Sequence, residues 1–123
     1  MQTEGELVRA MCASWSDPDP NRISDFFAED AVYHNIPMEP VIGRAAIRDF
    51  IAGFLATFDA IDFEIHHQVA SGSIVMNERT DSLRGAGKVT RLPVMGYFEV
   101  VDGAITVWRD YFDMAAITRA FGS

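Results

Sequence analysis

The chain has 123 residues, a formal net charge of −8, 49% hydrophobic residues and 23% charged residues. This length and composition predict one globular domain over residues 1–123 with a single core, and they exclude a disordered chain. Ten basic residues stand against eighteen acidic ones, and Lys88 is the one lysine, so the sequence offers no basic surface for nucleic acid or anionic lipid.

The sequence gives no sign of export or membrane insertion. Its one cysteine, Cys12, has no intramolecular disulfide partner, and the first residues are acidic where a signal peptide would be basic. No apolar run approaches the roughly 18 residues that a membrane span needs. We therefore expect a cytoplasmic protein that binds neither nucleic acid nor membranes.

Hydrophobic periodicity predicts helices early in the chain and strands later. In chain order, the predicted elements are a helix over residues 4–15, a short helix over 20–27 capped by Asp19, a strand over 31–36, a helix over 43–58, strands over 61–67, 74–83, 90–100 and 104–112, and a short helix from 113 to about 121–122. Asp102-Gly103 is typical of a hairpin turn. Helices followed by consecutive strands predict an α+β fold whose mostly antiparallel sheet is covered on one face by the early helices.

Three predicted strands carry polar side chains on otherwise apolar faces. Tyr33 and Asn35 share one face of the first strand, and Arg79 and Asp81 project together from a later one. Asp110, between Trp108 and Phe112 on the last strand, would face an apolar interior, where an ionised carboxylate needs a partner. If Arg79 lies between both aspartates, their titrations couple, and one can stay protonated while the other is ionised.

Alternatives to such a site remain open on spacing alone. An Arg-x-Asp pair on a strand is more often a solvated surface network, and Trp108 is more typical of a core than of a substrate platform. His66 and His67 face opposite sides of a strand and cannot share a metal, so no metal site is predicted. Cys12, on the apolar face of the first helix, is interpreted as a small buried hydrophobe.

The order of several segments resembles the limonene-1,2-epoxide hydrolase family. The Y-x-N element at 33–35, the E-R-x-D element at 78–81 and the W-R-D-Y-F-D element at 108–113 carry this resemblance, which covers nearly the whole chain. The wider cystatin-like superfamily, with its SnoaL-like, ketosteroid isomerase-like and nuclear transport factor 2-like members, shares the architecture. The resemblance implies a cone of three or four helices in a strongly curved mixed sheet around a deep apolar pocket, and a homodimer.

The resemblance also implies a reaction and a role for five residues. It implies cofactor-free hydrolysis of a small-to-medium apolar epoxide, terpene-like or alicyclic, in one step to a vicinal diol. Asp110 would be the base, Asp81 the protonated acid and Arg79 the bridge between them, while Tyr33 and Asn35 would hold the attacking water. The candidates for the apolar wall that binds the substrate are Met38, Phe54, Phe58, Leu83, Leu92, Val94 and Phe112.

Two other functions fit the same architecture. One is a SnoaL-like or ketosteroid isomerase-like enzyme that moves protons without adding water, and the other is a non-catalytic ligand-binding module. His34, between Tyr33 and Asn35, and Glu39, in the loop that follows, lie near the predicted site with no role assigned to them.

Overall fold

The structure, a computed structural model, describes the backbone of residues 2–121 and the side chains of residues 2–119. Within this part the chain forms four helices and six strands: α1 (Glu4–Ser14), α2 (Pro20–Ser24), β1 (Phe27–Asn35), β2 (Val41–Ile42), α3 (Arg44–Thr57), β3 (Ala60–Ser71), β4 (Ile74–Gly85), β5 (Lys88–Val101), β6 (Ala104–Tyr111) and α4 (Met114–Phe121). The predicted α+β class is confirmed. The predicted end of the last helix reaches Gly122, which lies outside the described residues.

The six strands form one curved sheet in the order β2-β1-β6-β5-β4-β3. The β1–β6 pair is parallel, and the other four neighbouring pairs are antiparallel. The sheet is therefore mixed and mostly antiparallel, as predicted. Since β1 pairs with β6, the strands that come first and last in the chain contribute side chains to the same region of the inner face of the sheet.

Local sequence explains where the helices begin. Thr3 caps α1 in a capping box, with its hydroxyl accepting from the Glu6 N–H and its own N–H donating to the Glu6 carboxylate. The predicted cap of α2 is confirmed, because Asp19 accepts from the Asn21 N–H at 3.0 Å and Pro20 takes the first helical position. In the described part of the chain, no helix is both long and apolar enough to cross a membrane.

The boundary between α2 and β1 differs from the prediction. The helix ends at Ser24 rather than near residue 27, and β1 begins at Phe27 rather than at residue 31. Phe27 already pairs with Ile105, but the register shifts between Phe27 and Val32. This irregularity interrupts the two-residue alternation, so the early part of the strand has no readable period.

The short strand β2 and the far end of β3 were also not predicted. The two-residue β2 pairs with β1 but is too short to carry a pattern of its own. Strand β3 continues four residues beyond the predicted end at His67, after a register shift between Ile65 and His67 that again breaks the alternation. The predicted hairpin is confirmed, with Asp102 and Gly103 at φ 51° and 78°, the signs that a type I′ turn requires.

The core lies between the helices and the inner face of the sheet, and aromatic rings fill its centre. The ring of Trp108 stacks on Tyr33, Phe98 and Phe27 with centroids 4.2, 5.5 and 5.9 Å away. Trp108 is fully buried, which confirms its interpretation as a core residue. Burial of these large rings fixes the backbone of β1, β5 and β6 around the polar side chains described below.

Candidate active site

Arg79 is the centre of the polar cluster. Its Nε and Nη2 donate to the two oxygens of Asp81 at 3.0 and 2.9 Å, and its Nη1 and Nη2 donate to those of Asp110 at 3.1 and 2.7 Å. Nη1 also donates to Asn77 Oδ1 at 3.1 Å. An arginine has five N–H donors, so these five bonds use all of them. The guanidinium therefore joins both aspartates in one orientation.

The side chains of this cluster are almost completely buried. Arg79 is 1% exposed, Asp110 3% and Asp81 6%. On β4 the alternation places Asn77, Arg79 and Asp81 on the inner face, and the strand register puts Asp110 of β6 in line with Gly96 of β5 and then Asn77 of β4. The predicted alignment of Arg79 with both aspartates is therefore present, and the alternative of a solvated surface network is wrong.

The two carboxylates have different environments. Asp110 receives, besides two bonds from Arg79, a third from the indole Nε1–H of Trp108 at 2.6 Å. Asp81 receives its two bonds from Arg79 alone among the described side chains. Hydrogen bonds from N–H groups favour the ionised form of a carboxyl group. Asp110 is therefore the better stabilised anion of the pair.

Burial raises the pKa of Asp81 to about 6, against hydrogen bonding and attraction from Arg79, and repulsion from Asp110 adds to the rise. For Arg79, burial alone would lower the pKa, but the charges and hydrogen bonds of both aspartates outweigh it and raise the pKa well above its ordinary value. The cluster thus contains a permanent cation and a carboxyl that keeps its proton into the mildly acidic range, beside a second carboxyl that accepts three N–H bonds.

Tyr33 and Asn35 stand beside Asp110 because β1 runs parallel to β6. The register pairs Tyr33 with Trp108 and Asn35 with Asp110. Both side chains are buried, and the Tyr33 hydroxyl donates to Asn35 Oδ1 at 3.4 Å. Burial, followed by repulsion from Asp110, raises the pKa of Tyr33, so the phenol remains a hydrogen-bond donor. All five residues predicted to form the site therefore lie together.

A cavity opens above this cluster. Its polar lining comes from Tyr33, Asn35, Asp81 and Asp110, and the rest is apolar. Six of the seven predicted wall residues line it: Met38, Phe54, Leu83, Leu92, Val94 and Phe112. Sequence reasoning missed four others: Trp15, Ile61, Phe63 and Ile117.

Phe58 is the predicted wall residue that the structure does not place on the cavity. It is the C-cap of α3, with extended backbone at φ −113° and ψ 146°, so its side chain leaves the helical face that Phe54 occupies. Its ring packs on that of Phe54 at 5.0 Å. Phe63 takes a place on the wall instead, because the β3–β4 register sets it opposite Asp81.

Other side chains singled out from the sequence have structural contacts. His34 Nε2 lies 2.8 Å from the Met38 carbonyl and fixes the loop after β1, whereas Glu39 is exposed and does not line the cavity. Cys12 is buried, which raises the pKa of its thiol to about 12 and confirms its interpretation as a small hydrophobe. Across the described residues, no three His, Cys, Asp or Glu side chains are grouped to hold a metal ion.

Residues 8–108 match the SnoaL-like domain family. The chain is 31% identical over 107 residues to epoxide hydrolase EphG of Mycobacterium tuberculosis, covering 87% of this chain and 71% of that protein. A solved structure of an M. tuberculosis LEH-like epoxide hydrolase is similar with a TM-score of 0.84 and 28% identity, covering 94% of this chain and 86% of that one.

A structure from Catenulispora acidiphila, described as having a ketosteroid isomerase-like fold and solved with trimethylamine, is similar in fold. Its TM-score is 0.85 at 23% identity, with 95% of this chain and 92% of that chain covered. This likeness concerns the architecture, whereas the match over residues 8–108 and the 31% identity extend to the sequence. The chain therefore belongs to the SnoaL-like domain family, and within it is a homologue of the LEH-like epoxide hydrolases.

Proposed function

We propose that this protein is an epoxide hydrolase that adds water to a small-to-medium apolar epoxide, terpene-like or alicyclic, and releases a vicinal diol in one step. The observation that carries the proposal is the unequal pair of buried aspartates joined by Arg79. Opening an epoxide at neutral pH needs a base for the water and an acid for the oxygen at the same time. The homology to proteins named epoxide hydrolases supports the same reaction.

Asp110 is the proposed base. The three N–H groups that donate to it favour the charge that a base carries, and its position beside Tyr33 and Asn35 supports a water site at its oxygens. A water molecule there donates one proton to Asp110 and the other to Asn35 Oδ1, and it accepts from the Tyr33 hydroxyl, which gives up its 3.4 Å bond to Asn35. The lone pair that remains on the water oxygen then points to the substrate carbon, which fixes the direction of attack.

Asp81 is the proposed acid. Its raised pKa, near 6, keeps a larger fraction protonated near neutral pH than an ordinary aspartate would have. As the water oxygen bonds to the epoxide carbon, the carbon–oxygen bond breaks and the leaving oxygen takes the Asp81 proton, while Asp110 takes the water proton. Substrate and water together become the diol, and the enzyme is reset when a proton passes from Asp110 back to Asp81.

The rest of the cavity favours an uncharged, apolar substrate. Aliphatic and aromatic side chains such as Leu83, Leu92 and Phe54 line it, and the N–H donors of Arg79 are all bound to protein oxygens. An anionic substrate would therefore meet two carboxyl groups with no cation to receive it. The two aspartates supply both proton transfers, so the proposed reaction uses no metal or cofactor.

Hydrolysis of limonene oxide, cyclohexene oxide and styrene oxide in ¹⁸O-labelled water tests the proposal. We expect diol formation that is lost in Asp110→Asn and Asp81→Asn and kept in Asp59→Asn, an exposed aspartate that does not line the cavity. In a single turnover the label must enter the diol. Label in the protein instead would mean a covalent carboxylate intermediate, and no turnover of any epoxide would favour a proton-transfer enzyme or a binding module.

The proposal includes a homodimer formed through the outer face of the sheet. Met76, Met95 and Tyr111 are 41%, 49% and 48% exposed and line one shallow groove. Glu78 and Arg109 lie on the same face, so a second copy related by a two-fold axis could match apolar to apolar and acid to base. Analytical ultracentrifugation should show a dimer that Met95→Glu converts to a monomer, and a monomeric wild type would refute this part.

A further inference from the structure

Gly96 interrupts the inner face of β5 at the centre of the polar cluster. The register places it between Asn77 on β4 and Asp110 on β6, which is the path that the Arg79 side chain crosses. A glycine in the interior of a strand weakens the strand, and it often marks a place where another group approaches the backbone closely. We therefore ask which neighbouring group explains a glycine at position 96.

A side chain at position 96 would collide with this cluster. An ideal Cβ built on Gly96 overlaps Arg79 Nη1 and comes within 2.7 Å of Asn77 Oδ1 and 3.0 Å of Phe98 Cε1. The turn glycines differ, since Gly72 and Gly87 have φ of 58° and 75° and nothing within 4 Å of such a Cβ. Backbone conformation explains the turn glycines, whereas the space occupied by the guanidinium explains Gly96.

Arg79 cannot easily move aside to make room. Its guanidinium carbon lies 4.8 Å from the centroid of the Phe63 ring, and all its N–H donors are bound. A displacement of Nη1 breaks its bonds to Asp110 and Asn77. The Nε bond to Asp81 is less affected, because the Cβ at position 96 meets Nη1 and not Nε. The loss therefore falls on the proposed base more than on the proposed acid.

We propose that Gly96 is a positioning residue for the reaction, because the missing side chain lets the guanidinium of Arg79 pass over β5 and bind Asp110. The effect on catalysis rests on the proposed function, whereas the effect on the contact between Arg79 and Asp110 does not. Other titratable or charged groups that act on Asp110 are Asp81 on β4, Tyr33 on β1 and Cys12 on α1, and none of them is moved directly by a methyl group at 96. A methyl group at position 96 would therefore weaken the contact between the Arg79 cation and Asp110.

Gly96→Ala tests this inference, with Gly53→Ala as the matched control. Gly53 lies exposed in α3, and an ideal Cβ there has nothing within 4 Å. We expect Gly96→Ala to lower kcat about tenfold or more with KM changed less than about twofold, because a small misplacement of catalytic groups is costly. Gly53→Ala should match the wild type in both kcat and KM.

A substrate-free readout separates this inference from the proposed reaction. A crystal structure of Gly96→Ala should show Arg79 Nη1 beyond hydrogen-bond distance of Asp110, and one of Gly53→Ala should show that bond kept, whether or not any epoxide is turned over. In an Arg79→Lys background, where no Nη1 exists, adding Gly96→Ala should lower the free energy of unfolding less than it does in the wild type. An unmoved Arg79 guanidinium in a folded Gly96→Ala variant, or an equal loss of stability in the lysine background, would overturn the inference.

Discussion

The proton on Asp81 should be visible in the stability of the protein before any substrate is tested. Asp81 is buried, and its pKa of about 6 in the folded protein lies above the ordinary value of 3.8. Because the folded state holds this proton more tightly than the unfolded state, the group stabilises the fold below pH 3.8. That contribution is lost as the pH rises through about 6. Asp81→Asn, which cannot ionise, removes this pH dependence.

The size of the effect follows from the pKa difference. A rise from 3.8 to about 6 corresponds to about 3 kcal/mol, at about 1.4 kcal/mol per pH unit. The free energy of unfolding of the wild type, minus that of Asp81→Asn, should therefore fall by most of this amount between pH 4 and pH 7. Carboxyl groups outside this cluster contribute equally to both proteins, so they cancel in the difference.

Urea unfolding followed by tryptophan fluorescence measures this difference directly. Trp15 and Trp108 are both buried and are the two tryptophans of the chain, so their emission reports loss of the core. Asp59→Asn, at an exposed position, should keep the pH dependence of the wild type. A pH-independent difference would show that Asp81 titrates normally. A wild type that gains stability over the variant as the pH rises would show a lowered pKa, and in both cases Asp81 could not be the acid.

Two further results are expected. Trp108→Phe keeps an aromatic ring beside Tyr33 but removes the N–H bonded to Asp110. A hydrogen bond to a charged group is worth about 1.5–3 kcal/mol. We therefore expect kcat, measured at saturating substrate, to fall about tenfold or more with little change in KM. Phe54→Ala widens the cavity and should shift competition assays toward bulkier epoxides, whereas Phe58→Ala, which removes packing outside the cavity, should lower the melting temperature without changing that preference.

Much of the candidate site could be predicted because strand alternation is a local property. The inward faces of β4 and β6 carry Arg79, Asp81 and Asp110, and the alternation holds through β4 and from Trp108 to Asp110 of β6, beyond the irregularity between Ile105 and Val107. Pattern alone does not show which strands are neighbours, and the resemblance brings these residues into one site without giving a strand order. The pairing of Asn35 with Asp110 depends on it.

The missed features depend on register and on helix ends. Phe63 reaches the cavity because it is paired with Asp81. The register shifts between Ile65 and His67, so this pairing cannot be found by counting residues back from the turn between β3 and β4. Phe58 follows the spacing of a helical face, but the backbone turns to an extended conformation at that residue. The indole bond from Trp108 to Asp110 joins neighbours two residues apart, and apolar patterning gives no direction for a ring N–H.

The parallel pairing of β1 with β6 also governs how the site comes into being during synthesis and folding. Strands β3 to β6 can join as successive hairpins, each closing a short loop, and β1 can pair with the nearby β2, but the pairing of β1 with β6 needs a strand from the other end of the chain. Tyr33 and Asn35 therefore meet Asp110 only after almost the whole polypeptide has emerged. In a nascent chain that ends before β6, the residues of the proposed water site are not yet together, so that site depends on a long-range pairing.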